Sequence, residues 1–375
     1  MGKRRITLII IVLFCLGVLS TAIALRVRWN KSLGPALELP AQSSLVGSTV
    51  VVAKEDPSKP GIISNPLITT TQSADILLVV TPGPYPTATN HPLCGGPATM
   101  TLLLIGSDQR STSYVYGLAD SIHIIRIDFT KPNLMMIDFP RDLWVEIPEI
   151  SDHHGITHGK LNQAYLYGNP GMGYYDGPGE GPGLLARTLD VNFDLRVDHY
   201  LTINTQTFEK MIDSVGGVDI KIESPIDLSY GVSDPGPKYF LSAGTHHLDG
   251  ERALLLATNR IPSTFQRMEH QKIILGALRD KLLQRDMIPK LPKLVAQFIG
   301  AVQTDLSMRD INNLICIAQA IPEENIQADS FPQSMFKASD IYDPNRNVTT
   351  FIYETDFDQI RAMVADFMKG IWPFQ

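Results

Sequence analysis

Short apolar runs in the middle of the chain predict the strands of a buried sheet. Residues 102–105, 122–125 and 134–137 are rich in aliphatic and β-branched side chains, and runs of this length bounded by polar residues are typical of buried strands. Each run ends beside charged residues, so we expect those charges to lie together at the rim of the sheet. Further strands are predicted at 199–204 and 218–222.

Helical patterns alternate with these strands. Residues 207–215 fit a helix that ends at Gly216, and Asp249 is positioned to cap a helix that begins at Gly250. Residues 266–283 form a long amphipathic pattern with apolar side chains on one face. This alternation predicts an α/β fold, in which a central mixed β-sheet is flanked by helices on both sides.

The predicted main domain spans residues 99–285. Residues 286–375 continue with helical patterns at 292–298, 308–320 and 357–368 and with one strand-like run at 349–353. We expect this part of the chain to be a helical C-terminal extension that packs on the main domain.

The N-terminal sequence predicts a membrane anchor. Residues 6–25 are uncharged and apolar, about the length of a helix that crosses a hydrocarbon core. The alternative, a cleavable signal peptide, is less favoured because no small-residue cleavage site precedes Arg26. The basic residues within 1–5 favour a cytoplasmic N-terminus, with the rest of the chain outside the cytoplasm. Residues 26–98 are rich in Pro, Ser and Thr and predict an extracytoplasmic linker.

Composition excludes some classes of function. The net charge of −7 argues against nucleic acid as a partner, because neutralising phosphates requires a basic surface. Three cysteines do not make a disulfide framework. Cys94 and Cys316 could pair outside the cell or remain two unpaired thiols, and the sequence leaves both possibilities open.

Acidic, basic and polar motifs follow these elements in a fixed order. Carboxylates beside guanidinium groups suit a divalent cation and a phosphate better than they suit a hydrophobic core. The motifs are Gly106-Ser107-Asp108-Gln109-Arg110, Ala119-Asp120-Ser121, Phe139-Pro140-Arg141-Asp142, Lys160-Leu161-Asn162-Gln163-Ala164-Tyr165, Gly216-Gly217-Val218, a segment from Leu248 to Leu254, and a helix start from Arg267 to Gln271.

The ordered motifs resemble those of the LytR-CpsA-Psr family of bacterial envelope proteins, over about residues 101–283. Each motif alone is weak, whereas seven in one order are specific. The resemblance implies a membrane-anchored phosphotransferase that moves a glycopolymer from a polyprenyl pyrophosphate lipid carrier to a hydroxyl of a cell-wall or envelope acceptor. A catalytically weakened polyprenyl-phosphate-binding protein and a polyprenyl pyrophosphate phosphohydrolase remain open as alternatives.

The resemblance also implies a role for individual residues. Asp108 and Asp120 would hold Mg²⁺ or Mn²⁺, because Mg²⁺ takes one or two carboxylates and completes its shell with water and phosphate oxygens. Arg141 would bind the pyrophosphate, with Asp142 orienting its guanidinium group. The other catalytic candidates are Arg260, Arg110, Arg267 and Lys160, and the other polar binding candidates are Asn162 and Gln271.

The chain departs from the family pattern at four positions. Leu118, Thr258 and His270 stand where arginines are expected, and Thr264 stands where an aspartate is expected. Loss of one preorganised donor costs about 2.7–4 kcal/mol, so two uncompensated losses would lower the rate by roughly 10⁴- to 10⁶-fold. Either other groups compensate or the protein is a weakened or repurposed member of the family. The candidate compensating groups are Arg110, Lys160, His123 and His270.

Overall fold

The computed structural model describes residues 28–40, 91–230, 232–233, 235–261 and 263–371. The predicted membrane segment 6–25 and most of the predicted linker 26–98 lie outside these residues. Among the helices within them, none is both long and apolar enough to span a membrane.

Strands and helices alternate along the chain, as the hydrophobic pattern predicts. The strands are β1 (Thr99–Ser107), β2 (Ala119–Asp128), β3 (Asn133–Asp138), β4 (Trp144–Glu146), β5 (His158–Lys160), β6 (His199–Asn204), β7 (Val218–Ile222), β8 (Ile226–Asp227), β9 (Phe240–Leu241), β10 (Gly244–Leu248), β11 (Gln303–Thr304), β12 (Ile326–Ser330), β13 (Lys337–Asp343) and β14 (Val348–Glu354). The helices are α1 (Ser151–His154), α2 (Leu161–Gly168), α3 (Glu180–Phe193), α4 (Thr205–Ser214), α5 (Gly250–Thr258), α6 (Thr264–Leu282), α7 (Leu291–Phe298), α8 (Met308–Ala320) and α9 (Phe357–Lys369).

Six strands form a central mixed sheet in the order β11-β6-β1-β2-β3-β12. β1 and β2 are antiparallel, as are β2 and β3, whereas β6 runs parallel to β1 and β12 runs parallel to β3. Helices cover both faces of this sheet. The prediction of an α/β fold around a central mixed sheet is therefore confirmed.

Side-chain caps fix the starts of the helices around the sheet. Asp249 accepts a hydrogen bond from the backbone N–H of Arg252 and so caps α5, as its position in the sequence predicts. Ser263 caps α6 in the same way, by accepting from the N–H of Gln266. These caps satisfy backbone donors that have no partner within the helix, which stabilises the first turn.

One face of the sheet carries the main core. The side chains of Leu103, Ile105, Ile122 and Ile137 are fully or almost fully buried on this face. They pack with residues of α2, α3 and α9, among them Phe367. Successive residues of a strand point to opposite faces, so the alternate positions of the same strands face a second layer of helices.

The opposite face of the sheet is covered in two halves. Near the start of β1, Met100 and Ile127 pack against Leu306 and against Ile317 of α8. A disulfide bond between Cys94 and Cys316 links the segment before β1 to α8, which resolves the alternative that the sequence leaves open. Near the end of β1, α5 and α6 cover the same face.

The C-terminal part of the chain contains strands as well as the predicted helices. β11 and β12 extend the two edges of the central sheet, and β13 pairs with β14 as an antiparallel hairpin. The side chains of β13 are mostly exposed, so its sequence carries little of the apolar alternation by which a strand is recognised.

Residues 28–40 also contact the domain, although they fall within the segment predicted as a linker. Ser32 forms an isolated β-bridge with Ser307, and the Tyr200 hydroxyl donates to the Pro35 carbonyl at 3.0 Å. Leu37 is partly buried against the main core. A stretch without periodicity can still bury single apolar side chains on a neighbouring surface.

Candidate active site

A cavity of about 130 Å³ opens at the end of β1 and the start of β2. Its walls come from the sheet on one side and from α4, α5 and α6 on the other. Its apolar side chains include Leu104, Ile203, Phe208, Leu254, Ile274 and Leu275, and its polar side chains include Asp108, Asp120, Ser121, His123, Thr258 and Gln271. An apolar interior with charged groups at its mouth suits an amphiphilic ligand.

Asp108 and Asp120 line the same end of this cavity. The β1–β2 pairing is irregular after Gly106, and the backbone N–H of Leu118 donates to Asp108 Oδ1 at 2.7 Å. Burial and the nearby Asp120 carboxylate raise the pKa of Asp108, although the Leu118 N–H opposes this shift. A divalent cation between the two carboxylates would relieve their mutual repulsion.

Arg141 links Asp120 to a second carboxylate. Its guanidinium group hydrogen-bonds Asp120 and also donates through Nε to Asp142 Oδ2 at 3.2 Å. Lys160 Nζ donates to Asp142 Oδ1 at 3.1 Å. Burial alone would raise the pKa of Asp142, but the charges of Arg141 and Lys160 hold it below its ordinary value. The Phe139-Pro140-Arg141-Asp142 motif therefore forms an ion-pair network beside Asp120.

Arg260 completes this network from the segment after α5. Its Nη2 lies 3.6 Å from Asp120 Oδ2, and its side chain is 56% exposed. An exposed guanidinium at this distance contributes little to stability, so it remains available to an anion that enters the cavity mouth.

Arg267 is the most unusual cation of the site. It is 2% exposed, and its Nε has no hydrogen-bond partner. Burial and the neighbouring charge of Arg141 lower its pKa to about 10, so it stays protonated at neutral pH. A buried guanidinium with an unpartnered N–H beside other arginines is costly by itself, and an anionic ligand would satisfy it.

The remaining predicted residues differ in their distance from this cluster. Gln271 lines the cavity and donates to the Ala257 carbonyl at 3.1 Å. Asn162 is buried, and its Oδ1 has no partner. It lines a second groove of about 370 Å³ together with Arg141, Lys160 and Leu118. Arg110 is exposed and lines neither the cavity nor this groove.

The structure limits how the missing arginines are compensated. Thr258 lines the cavity, where its hydroxyl donates to the Leu254 carbonyl. Burial lowers the pKa of His123 to about 4 and also lowers the pKa of His270. Neither histidine therefore supplies a positive charge at neutral pH, and of the four candidate compensating groups Lys160 alone joins the ion-pair network.

The carboxylates present restrict the metal that this site suits. In the part of the chain that the structure describes, no three or more His, Cys, Asp or Glu side chains form a group that could hold a metal ion. Two carboxylates fit Mg²⁺ or Mn²⁺ better than a cation that needs four protein ligands, because Mg²⁺ keeps several water or phosphate oxygens in its shell.

Sequence reasoning missed a polar group inside the cavity. Ser121 Oγ and His123 Nε2 are 2.6 Å apart, whereas we considered His123 only as a possible cation. The available signal was the alternation of two polar residues with apolar neighbours along β2, which places both polar side chains on one face.

Known proteins share part of this sequence. Regulatory protein MsrR of Staphylococcus aureus (strain COL) is 28% identical over 211 residues, which cover 55% of this chain and 56% of MsrR. The polyisoprenyl-teichoic acid–peptidoglycan teichoic acid transferase TagV of Bacillus subtilis (strain 168) is 26% identical over 216 residues, 56% of this chain and 50% of TagV. The chain thus spans about half the length of the curated relatives it matches.

Solved structures share the fold. The crystal structure of B. subtilis TagV has a TM-score of 0.56 at 23% identity and covers 74% of this chain and 100% of that chain. The structure of TagT with bound octaprenyl pyrophosphate lipid has a TM-score of 0.52 at 18% identity, with 75% of this chain and 96% of that chain covered. The model of the LytR_cpsA_psr family matches residues 89–364, and the chain belongs to this family.

Proposed function

We propose that this protein is a Mg²⁺-dependent phosphotransferase that moves a glycopolymer from a polyprenyl pyrophosphate lipid to a hydroxyl of a cell-wall or envelope acceptor. The observation that carries the proposal is the composition of one cavity. Its interior is apolar, and two mutually repelling carboxylates stand at its mouth. The buried guanidinium of Arg267, whose Nε has no hydrogen-bond partner, lies in the adjoining cluster.

The donor lipid has an apolar chain and a charged pyrophosphate, which match the apolar interior and the charged mouth of the cavity. The polyprenyl chain would enter between the sheet and the helices α5 and α6, where side chains such as Leu104 and Ile274 face the space. Its pyrophosphate would lie at the mouth, where Arg141, Arg260 and Arg267 donate to the phosphate oxygens. TagT, a protein with the same fold, has been solved with octaprenyl pyrophosphate lipid bound, which supports a ligand of this class.

The charges of the cluster favour a bound divalent cation. Arg141, Arg260, Arg267 and Lys160 face the three carboxylates of Asp108, Asp120 and Asp142. The positive excess is too small to neutralise a pyrophosphate diester, which carries two negative charges. Asp108 and Asp120 would hold Mg²⁺, whose charge neutralises the pyrophosphate and its leaving group.

The catalytic contribution of the chain itself is positioning and electrostatics. Asp142 binds the Arg141 guanidinium through one carboxylate oxygen and Lys160 Nζ through the other, so it holds both cations in place. Donors held in place before the reaction stabilise a developing phosphate charge without the cost of reorganisation. The relative TagV is a teichoic acid transferase, which supports a transferase over a hydrolase.

We further propose that residues 6–25 anchor the protein with its domain outside the cytoplasm. The disulfide bond between Cys94 and Cys316 supports this location, because disulfides persist in oxidising compartments. Protease added to intact spheroplasts should digest the domain. Complete protection with the membrane unbroken would place the domain on the other side.

The function is tested with the full-length protein in detergent, Mg²⁺, a synthetic polyprenyl pyrophosphate-linked disaccharide and a soluble peptidoglycan fragment as acceptor. We expect the disaccharide phosphate to appear on the fragment and polyprenyl phosphate to be released. Release of saccharide phosphate to water would favour a hydrolase. Tight binding of the lipid without turnover would favour the weakened binding protein.

A further inference from the structure

A row of polar side chains crosses the sheet beneath the cavity. Ser121 and His123 lie two residues apart on β2, and therefore on one face. Asp138 on β3 lies directly opposite His123, and Ser330 on β12 lies directly opposite Asp138. Ser121 and His123 line the cavity itself. The next positions along the same face, such as Ile125 and Met136, are apolar, so the row interrupts an otherwise hydrophobic surface.

The inner part of this row is buried without a full set of hydrogen bonds. His123 and Asp138 are each 1% exposed. Ser121 Oγ lies 2.6 Å from His123 Nε2, whereas His123 Nδ1 and both carboxylate oxygens of Asp138 have no hydrogen-bond partner. Each buried polar group left unpaired costs about 1–3 kcal/mol, so the arrangement calls for a functional explanation.

The unpaired groups of His123 and Asp138 are placed to meet. Residues directly opposite on antiparallel strands have Cβ atoms roughly 4.5–5.5 Å apart. A small rotation of the two side chains would let His123 Nδ1–H donate to the Asp138 carboxylate. Hydrogen bonds of catalytic groups are often long in ligand-free structures and shorten when the substrate binds.

The outer part of the row connects these groups to solvent. Lys272 Nζ on α6 donates to Ser330 Oγ at 2.8 Å and lies 2.6 Å from a carboxylate oxygen of Glu269. Glu269 is exposed. A continuous line of polar side chains therefore runs from the cavity to the surface, between the sheet and α6.

We propose that His123 accepts the proton of the hydroxyl that attacks the pyrophosphate, and that the Ser121 hydroxyl carries this proton to it. The inference rests on the proposed transferase function, and it names a proton acceptor for that reaction. The Ser121 hydroxyl faces the cavity and His123 lies behind it, so the serine is the group that an acceptor hydroxyl meets first.

The step balances in atoms and charge. The acceptor oxygen forms a bond to the phosphorus that carries the sugar, and the bridging P–O bond to the polyprenyl phosphate breaks with its electrons on the leaving oxygen. The acceptor proton moves to Ser121 Oγ as the Ser121 proton moves to His123 Nε2. The imidazolium then returns a proton through Ser121 to the departing polyprenyl phosphate, which leaves as a monoanion.

The electrostatic environment suits this role. Burial, together with the positive charge of Lys272 on α6, lowers the pKa of His123 to about 4, so the ring is neutral at neutral pH. In the tautomer that carries its proton on Nδ1, the lone pair of Nε2 accepts from the Ser121 hydroxyl. Other charged groups near His123 are Asp138, which lies opposite it on β3, and Glu269, which pairs with Lys272 on α6. Asp108 and Asp120 line the same cavity. An anionic donor in the cavity raises the basicity of His123. Burial raises the pKa of Asp138 to about 7, and in its ionised form Asp138 stabilises the imidazolium that forms beside it.

The test compares two buried histidines in the full-length protein. His270 on α6 resembles His123 because it is 2% exposed and its Nδ1 lacks a partner, but it does not line the cavity. We expect His123→Gln to slow single-turnover transfer to the peptidoglycan fragment by about 10²- to 10⁴-fold. Binding of the polyprenyl pyrophosphate-linked disaccharide should not change, and His270→Gln should transfer at the wild-type rate.

Serine variants test the relay separately from any loss of folding at His123. Ser121→Ala should slow transfer, and Ser121→Thr, which keeps the hydroxyl, should restore most of the rate. Wild-type rates in both His123→Gln and Ser121→Ala would overturn the relay while leaving the transferase intact, and so would an equal loss of donor binding and rate. Absence of transfer by the wild type would overturn the proposed function itself.

Discussion

The two halves of one sheet face show opposite ways of filling the space between a sheet and its helices. Near the start of β1, Met100, Leu102 and Ile127 pack against the apolar side of α8, and a disulfide bond between Cys94 and Cys316 closes this half. Near the end of β1, the same face carries Ser121 and His123 under α5 and α6 and leaves a cavity.

The difference separates stability from function along the length of single strands. The apolar half gains free energy from burial and from the restriction that the disulfide places on the unfolded chain. The polar half keeps a buried arginine, a buried aspartate and a buried histidine with unpaired atoms, which reduces stability. We infer that the first half holds the strands in register so that the second half can maintain an unfilled, charged site.

The largest expected effect comes from the polar half. Replacing Asp120 with alanine should lower the rate of divalent-dependent transfer by about 10³-fold or more. Asp120 would hold the metal, and it also anchors Arg141 and Arg260. The matched control is Asp128→Asn at the other end of the same strand, which should transfer at the wild-type rate. Initial rates against Mg²⁺ concentration measure both, and full activity in Asp120→Ala would refute the metal assignment.

The next effect concerns the arginines that remain. Arg141→Ala should lower the transfer rate by roughly 10²-fold or more, since one preorganised donor to a developing phosphate charge is lost. Thr258→Arg should raise the rate, because Thr258 lines the cavity where the family has an arginine. Single-turnover rates check both variants, and a Thr258→Arg protein without any gain would show that the missing cation is already replaced.

The disulfide should affect stability alone. It links residues 222 positions apart, and loss of a native disulfide typically costs about 2–5 kcal/mol. The double variant Cys94→Ser and Cys316→Ser should therefore unfold at lower denaturant concentration, with the transfer rate at low temperature unchanged. A loss of rate in the still folded variant would mean that the two halves are coupled.

The smallest effect is a dependence of stability on pH. Burial raises the pKa of Asp138 to about 7, above the ordinary aspartate value of about 4 in the unfolded chain. The folded protein therefore holds a proton that the unfolded chain releases, so the contribution of Asp138 to stability is greatest below pH 4 and is lost as the pH rises through 7. Asp138→Asn should remove this fall and unfold at higher denaturant concentration than wild type at pH 8. Parallel unfolding curves of the two proteins from pH 4 to pH 8 would show that Asp138 has an ordinary pKa.

The sequence predicts much of the fold because the relevant signals are local. Three apolar runs mark β1, β2 and β3, and Asp249 caps α5 as its position indicates. The order of the motifs was enough to predict that Asp108, Asp120 and Arg141 lie near one another, since each follows or opens a strand of the same sheet. That they bind a metal and a pyrophosphate remains a prediction.

Other features depend on contacts between distant segments, and only the tertiary structure decided them. The pairing of Cys94 with Cys316 requires α8 to pack on the start of β1. The register of β2 with β3 places Asp138 opposite His123, and the packing of α6 leaves Arg267 buried without a partner for its Nε. Hydrophobic periodicity determines which face of a helix or strand is buried. It does not determine which residues of another element that face contacts. That choice depends on strand register and on the packing of helices, which arise from the whole chain.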